Sequence, residues 1–215
     1  MKSATDKARE LAAERPRVIG GADVAALLGL SKYSNAVDIY ARLVHGVTKP
    51  INAQMQRGLD VEEELLESYR AFVGPAERCD FIRHPEFDWC GGHLDALSEE
   101  CVVDLKSCNV WGAKSYGTPG TDEVPADVAC QMNWYCWLTG RERWHIYLGT
   151  GVETDVGFAF TETALYAGDF DAELQALSMA AATDFRERHW LPKAWPDGEP
   201  FENKRIIKSL KQEKP

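Results

Sequence analysis

The sequence predicts an α/β (α+β) protein, a mixed central β-sheet flanked by helices. Three observations carry this. The apolar period starts helical, changes to alternation near residue 79, then returns to helical. The resulting order is helices, three strands, a helix, two strands and a helix. The 215-residue chain is 45% hydrophobic and 27% charged, a globular composition that excludes a disordered or fibrous chain.

In chain order, residues 3–14 read as a short helix ended before Pro16. Gly20-Gly21 leads into a helix over 23–28 with Gly29 as its cap, and a second helix over 35–44 is closed by Gly46. The spacing of Leu59, Leu66, Tyr69 and Val73 predicts a long helix over 52–73. Glu62 falls on that apolar face, while Glu63 and Glu64 point to solvent. Strands are expected over 79–84, 88–97 and 101–107, with turns at Pro85-Glu86 and at 98–100. Pro125 opens a helix that runs to Thr139 and stops at Gly140. Strands over 144–150 and 156–161 follow, and then a helix over 162–190. Residues 1–191 are read as a single domain, and 192–215 as a Pro-rich, then basic, loosely held tail.

Lys plus Arg number 24 against 34 Asp plus Glu, a net charge of −10. That argues against nucleic-acid binding by bulk charge, but it is compatible with a local basic groove and a carboxylate-rich metal site. No apolar run approaches the roughly 18 residues of a membrane-spanning helix. The N-terminus lacks the apolar stretch of a signal peptide, so a cytoplasmic setting is expected, with the six cysteines (no Cys-x-x-Cys among them) as reduced thiols.

The chemistry gathers around the strand at 101–107. Alternation puts Asp104 and Lys106 on one face and Val103 and Leu105 on the other. On a solvated face the two are an ordinary ion pair; buried unpaired, they would cost several kcal/mol. Asp95 lies on the preceding strand, in apolar company, and a hairpin would set it across from Asp104. It reads either as a cap on a turn amide or as half of a carboxylate pair. Two adjacent carboxylates repel unless a proton or cation separates them, which points to a hard divalent ion such as Mg²⁺, with oxygen ligands at about 2.1 Å. Glu62 reads as a helix-end acid or a site acid. Gln131, on a helix face with Val128, Tyr135 and Leu138, reads as a satisfied core amide or a site amide. His93 is read as a groove residue rather than a ligand, and Trp111, Trp134 and Trp137 as core packing ahead of a DNA channel.

Taken together these residues resemble the PD-(D/E)xK nuclease superfamily, in particular its phage lambda exonuclease and YqaJ-like viral recombinase branch. Residues 15–33, beginning Arg-Pro-Arg-Val-Ile-Gly-Gly, are similar to the first motif of that branch. Arg57-Gly-Leu-Asp-Val-Glu62 is similar to its helical acid motif, Gly92-His-Leu-Asp95 and Val103-Asp104-Leu-Lys106 to its metal and lysine motifs, and Gln131-Met-Asn-Trp-Tyr135 to its Gln-x-x-x-Tyr helix.

The resemblance implies a restriction-endonuclease-like core and hydrolysis of DNA phosphodiester bonds, 5′→3′ from linear double-stranded DNA ends, in phage-type recombination. It implies Mg²⁺, with Mn²⁺ as a substitute, held by Asp95, Asp104 and the Leu105 carbonyl, with Glu62 serving a second ion or its water. Lys106, its pKa lowered by burial and metal charge, would position and deprotonate the attacking water. Gln131 would orient Lys106 or the water, with Tyr135 behind it and His93 in the groove. Arg15 and Arg17, ahead of a helix start, would hold the 5′-phosphate. The partners implied are a single-strand annealing protein and a second and third copy of the chain in a homotrimer ring, with no membrane. Two positions depart from the pattern: Asp104 stands where Glu is usual, and Ala22 where a Ser commonly contacts the terminal phosphate. The alternatives are a RecB-like nuclease with an iron–sulfur cluster, an endonuclease of the same superfamily, or a non-catalytic DNA-binding module. The first needs cysteines near the C-terminus, and none follows Cys136.

Overall fold

The structure, a computed structural model, describes residues 18–48, 50–155 and 157–212. Its elements are α1 (Gly21–Leu27), α2 (Ala36–His45), α3 (Ala53–Phe72), β1 (Glu77–Arg78), β2 (Phe81–Arg83), β3 (Gly91–His93), β4 (Ala96–Leu97), β5 (Cys101–Asn109), α4 (Val110–Ala113), α5 (Ala126–Thr139), β6 (Arg143–Thr154), β7 (Gly157–Asp169), α6 (Ala172–Phe185), which continues as a π-helical turn (Arg186–Trp190), and α7 (Lys204–Gln212). Five strands form one mixed sheet in the order β1-β4-β5-β6-β7, in which only β5 and β6 run parallel. A parallel neighbour needs a crossover, and α5 supplies it. The expected mixed sheet flanked by helices is what the chain builds.

Local chemistry explains most of the helix ends. Asn35 caps α2 by accepting from the Val37 and Asp38 amides, and Gly46 closes it at φ 67°. Asn52 caps α3 through the Met55 amide. Gly140 ends α5 at φ 68°, where a side chain would be strained.

The sheet is covered on both faces. On one, Val61, Leu65, Leu66 and Tyr69 of α3 pack on Val103, Leu105 and Tyr147. On the other, α1, α5 and α6 cover Val102, Ile146 and Leu148 with residues such as Met132, Trp134 and Phe185. All six cysteines are free thiols, four of them buried.

The chain departs from expectation in four places. The strand expected over 88–97 is two short pieces: β3 pairs with β2 in a separate two-stranded sheet, and β4 pairs with β5. Leu94 and Asp95 lie at the break. The segment 162–169, expected to be helical, continues β7 against β6, with a bulge at Thr150/Gly151. Its Ala, Leu and Glu content looks helical, but pairing with β6 overrides so weak a preference. The helix begins only after Asp171, whose carboxylate accepts from the Glu173 and Leu174 amides.

Residues 193–212 are not loosely held either. Ile207 is buried against Val37 and Ala41, Trp195 lies against Tyr40 and His45, and Asp38 accepts from the Phe201 and Glu202 amides. The tryptophans also divide: Trp134 is buried and Trp137 stacks on His84, as core packing predicts, but Trp111 is 75% exposed on α4, a single turn at the end of β5. The helix expected over 3–14 lies outside the described residues.

Candidate active site

Strand β5 delivers its acid and its lysine to the α5 side of the sheet, beside Val102, while Val103 and Leu105 face α3. Asp104 is only 3% exposed, which excludes the solvated-face reading of the pair. Lys106 Nζ lies 2.7 Å from Asp104 Oδ2. That ion pair is what compensates the buried carboxylate.

Asp95 reaches the same place from the break between β3 and β4. The register Ala96↔Val103 and Leu97↔Val102, carried one step further, sets Asp95 opposite Asp104. Its Oδ2 accepts the Leu105 amide at 2.7 Å. Both readings of Asp95 thus hold: it caps a backbone amide, and it is half of a carboxylate pair. Burial first, and the Asp104 charge second, push its carboxyl up to about 7, against the pull of Lys106, with Glu62 adding to the rise.

The lysine behaves differently from expectation. Burial draws its pKa down, but Asp104 and Asp95 outweigh burial and hold it above the ordinary lysine range. Two carboxylates keep the ammonium charged.

Glu62 is close enough for its charge to act on Asp95, but it is ion-paired with Arg78, which also grips Glu63. Glu63 is therefore bridged rather than simply solvated. Among the described residues, no three His, Cys, Asp or Glu side chains gather into a metal-holding group. What remains is a set of hard oxygen donors: the Asp95 and Asp104 carboxylates and the Leu105 carbonyl. Mg²⁺ commonly takes one or two carboxylates and keeps water or phosphate oxygens for the rest. The pressure on Asp95 to give up its charge beside Asp104 is the feature that fits a dication there.

Behind the acids, Gln131 Nε2 donates to Tyr135 Oη at 2.9 Å, so the amide is directed at the tyrosine. Tyr135 is buried, which pushes its phenol up to about 12, and its hydroxyl senses Asp104 and Lys106. A Cβ on Gly92 would meet Tyr135 Cε1 at 2.5 Å; glycine there is what lets this ring approach the β3 backbone. His93 belongs to the small sheet, its ring 5.0 Å from that of Phe81, and is separated from Asp95 by the strand break.

Arg15 and Arg17 lie outside the described residues. The helix start they precede already has an internal anion: Asp23 Oδ2 accepts the Gly20 amide at 2.8 Å and pairs with Arg42 at 2.6 Å.

Two residues near the site escaped the sequence reading. Arg78, beside Glu62, sits in a two-residue strand too short to show a period. Tyr116 has its phenol raised to about 12, by burial first, and it exchanges charge effects with Lys106 and Asp104. Its one signal is its place in the segment directly after the lysine strand.

The fold is shared with known exonucleases. An alkaline exonuclease from Laribacter hongkongensis superposes with a TM-score of 0.65 at 20% identity, covering 95% of this chain and 96% of its own. The same enzyme in complex with dAMP gives a TM-score of 0.66 at 19% identity, over 95% and 96%. A phage-related exonuclease from Haemophilus somnus 129PT gives 0.59 at 16% identity, over 79% and 92%. No curated protein matches the chain. The family model described as the YqaJ-like viral recombinase domain matches residues 11–142, more than half of the 215, and the chain belongs to that family.

Proposed function

We propose that this protein is a metal-dependent DNA exonuclease that hydrolyses phosphodiester bonds from the ends of linear duplex DNA, 5′→3′, in phage-type recombination. The observation that carries the reading is the group of half-buried Asp95, buried Asp104 and half-buried Lys106, two acids and one amine brought together where the chain enters β4 and along β5. Crowding two carboxylates, one of them buried, against one lysine is unfavourable without a further cation, and a phosphodiesterase has a use for one. Family membership and the exonuclease fold support the same chemistry. The dAMP complex of the Laribacter enzyme supports a nucleotide product class.

Mg²⁺ or Mn²⁺, when bound, supplies Lewis-acid stabilisation of phosphoryl charge and a more acidic water. Asp95, Asp104 and the Leu105 carbonyl would hold it. Glu62, now on Arg78, would serve a second ion or its water only after exchanging that partner. The Lys106 ammonium presents positive charge where the phosphoryl oxygens gain negative charge during in-line attack by water. Its use as a base requires that the carboxylates keeping it protonated be neutralised first. Gln131 and Tyr135 would back Lys106, and His93 would lie in the groove that takes the DNA. Arg15 and Arg17 would bind the terminal phosphate. A homotrimer ring and a single-strand annealing partner complete the proposed setting.

Linear duplex labelled at either the 5′ or the 3′ end, incubated with Mg²⁺, with Mn²⁺ or with a chelator, tests this directly. Metal-dependent release of the 5′ label first, with closed circular DNA left intact, is the expected result. Cutting of the circle would replace exonuclease with endonuclease. No degradation of any DNA with either metal would overturn the reading.

A further inference from the structure

The surface around the site carries one large aromatic residue that packing does not explain. Trp111 is 75% exposed and its neighbour Val110 53%. Burying an indole is among the larger hydrophobic gains open to a fold, and this chain buries Trp134 and Trp144. Trp111 instead stands on α4, which starts where β5 ends, three residues beyond Lys106. At about 3.3 Å per strand residue, that strand end lies about 10 Å from Lys106, roughly three stacked nucleotides of a DNA strand, and Trp111 follows two residues later.

The turn that presents it is built rather than loose. Asn109 Oδ1 accepts the Gly112 amide at 2.9 Å, Ser115 Oγ donates to the Gly112 carbonyl at 2.7 Å, and the Tyr116 amide donates to the Ala113 carbonyl at 3.0 Å. A Cβ on Gly112 would lie 2.9 Å from that of Cys108, so the turn is folded tightly onto the strand end. The segment then returns to the site through Tyr116, whose ring is 5.2 Å from that of Tyr166 and whose hydroxyl senses Lys106. The segment 110–116 therefore leaves the end of the lysine strand and comes back beside the Asp104–Lys106 group at Tyr116. Lys114 Nζ lies over one face of the Trp111 ring, 4.0 Å from its centroid, which sets a cation suited to a phosphate against an indole whose remaining exposed surface can take a base.

We infer that Trp111 is a positioning residue that stacks on a nucleobase of the strand being degraded, a few nucleotides from the scissile phosphate, with Lys114 against the adjoining backbone. The inference rests on the nuclease reading above. Stacking of this kind tolerates any base, which suits an enzyme that must digest every sequence.

The test compares wild type, Trp111→Ala and Trp111→Phe on linear duplex with intact ends and on duplex whose first three nucleotides on the degraded strand are abasic. Trp111→Ala is expected to lose about 5- to 100-fold in kcat/KM, mostly through KM, the size of one base–aromatic stack. Trp111→Phe should recover most of it, and abasic ends should erase the difference between the variants. Equal kcat/KM for wild type and Trp111→Ala on intact ends overturns the inference. So does a loss that persists on abasic ends, since a structural defect would not depend on the base. If wild type degrades no DNA, the nuclease reading fails by itself, and titration with a single-stranded oligonucleotide in chelator decides the stacking. Fluorescence quenching present in wild type and lost in Trp111→Ala keeps it; equal quenching in both removes it.

Discussion

Two charge clusters stand side by side in this protein with the same stoichiometry and opposite situations. In one, Asp95 and Asp104 share Lys106; in the other, Glu62 and Glu63 share Arg78. The arginine cluster opens to solvent, with Glu63 54% exposed, and a guanidinium can satisfy two carboxylates at once from different nitrogens. The lysine cluster has an almost fully enclosed Asp104, a point-charge amine and a second acid whose carboxyl is driven upward by burial. Equal numbers of charges thus give a satisfied surface bridge in one place and a site short of positive charge in the other. The enclosure of one acid makes the difference: Asp104 is cut off from water, while Glu63 keeps its contact with it.

The largest expected effect tests whether the buried cluster is the reactive one. Lys106→Ala and Asp104→Asn should each lower nuclease activity by about 10²–10³-fold or more, the usual scale for a charge-stabilising group at a reacting centre. Arg78→Gln should cost no more than about tenfold, and on the order of 1 kcal/mol or less in stability, as partly exposed bridges do. If the Arg78 variant matched Lys106→Ala in activity, the contrast between the clusters would be broken.

Next in size is the response to cation. Mg²⁺ should raise the thermal midpoint of wild type, with a shift that grows with ion concentration. It should leave the Asp95→Asn, Asp104→Asn double variant unmoved. An equal shift in both would place the ion elsewhere.

The smallest effect is on pH. The carboxyl of Asp95 titrates higher in the folded chain than in the unfolded one, so between about pH 4 and pH 7 the folded state binds more protons. Its contribution to stability therefore declines as pH rises through that window and is fully lost above it. Asp95→Asn keeps an oxygen for the Leu105 amide and removes the charge. Urea unfolding of the ion-free variant should show a gain on the order of 1–4 kcal/mol at pH 8 and little at pH 4. A variant less stable than wild type at pH 8 would mean that the carboxylate charge is satisfied after all.

Much of the site was legible because its members lie within local periods. Asp104 and Lys106 are two apart on one strand, and Gln131 and Tyr135 four apart on one helix, so their shared faces follow from backbone geometry alone. The helix ends at Gly46 and Gly140 were legible for a similar reason, since glycine in the left-handed region is a local signal. Glu62 lies on α3, where its spacing puts it, but its pairing with Arg78 was not visible, because sixteen residues and a turn separate them. The docked α7 was hidden by its lysines: a helix with a single buried apolar residue, Ile207, has too thin a stripe to announce a partner.

By itself, then, the amino-acid sequence determined the alternation of helices and strands, the face shared by the acid and the lysine on β5, and the residue types able to hold a hard cation. These follow from side-chain direction within a few residues. Only the tertiary structure decided that the strand before β5 breaks at Asp95, that 162–169 joins the sheet, that Trp111 stands outside while Trp134 is buried, and that Asp104 is closed off from water. Each of those depends on which distant segment comes to lie alongside, and burial, which sets the Asp104–Lys106 pair apart from a common surface ion pair, is a property of that packing rather than of any residue in it.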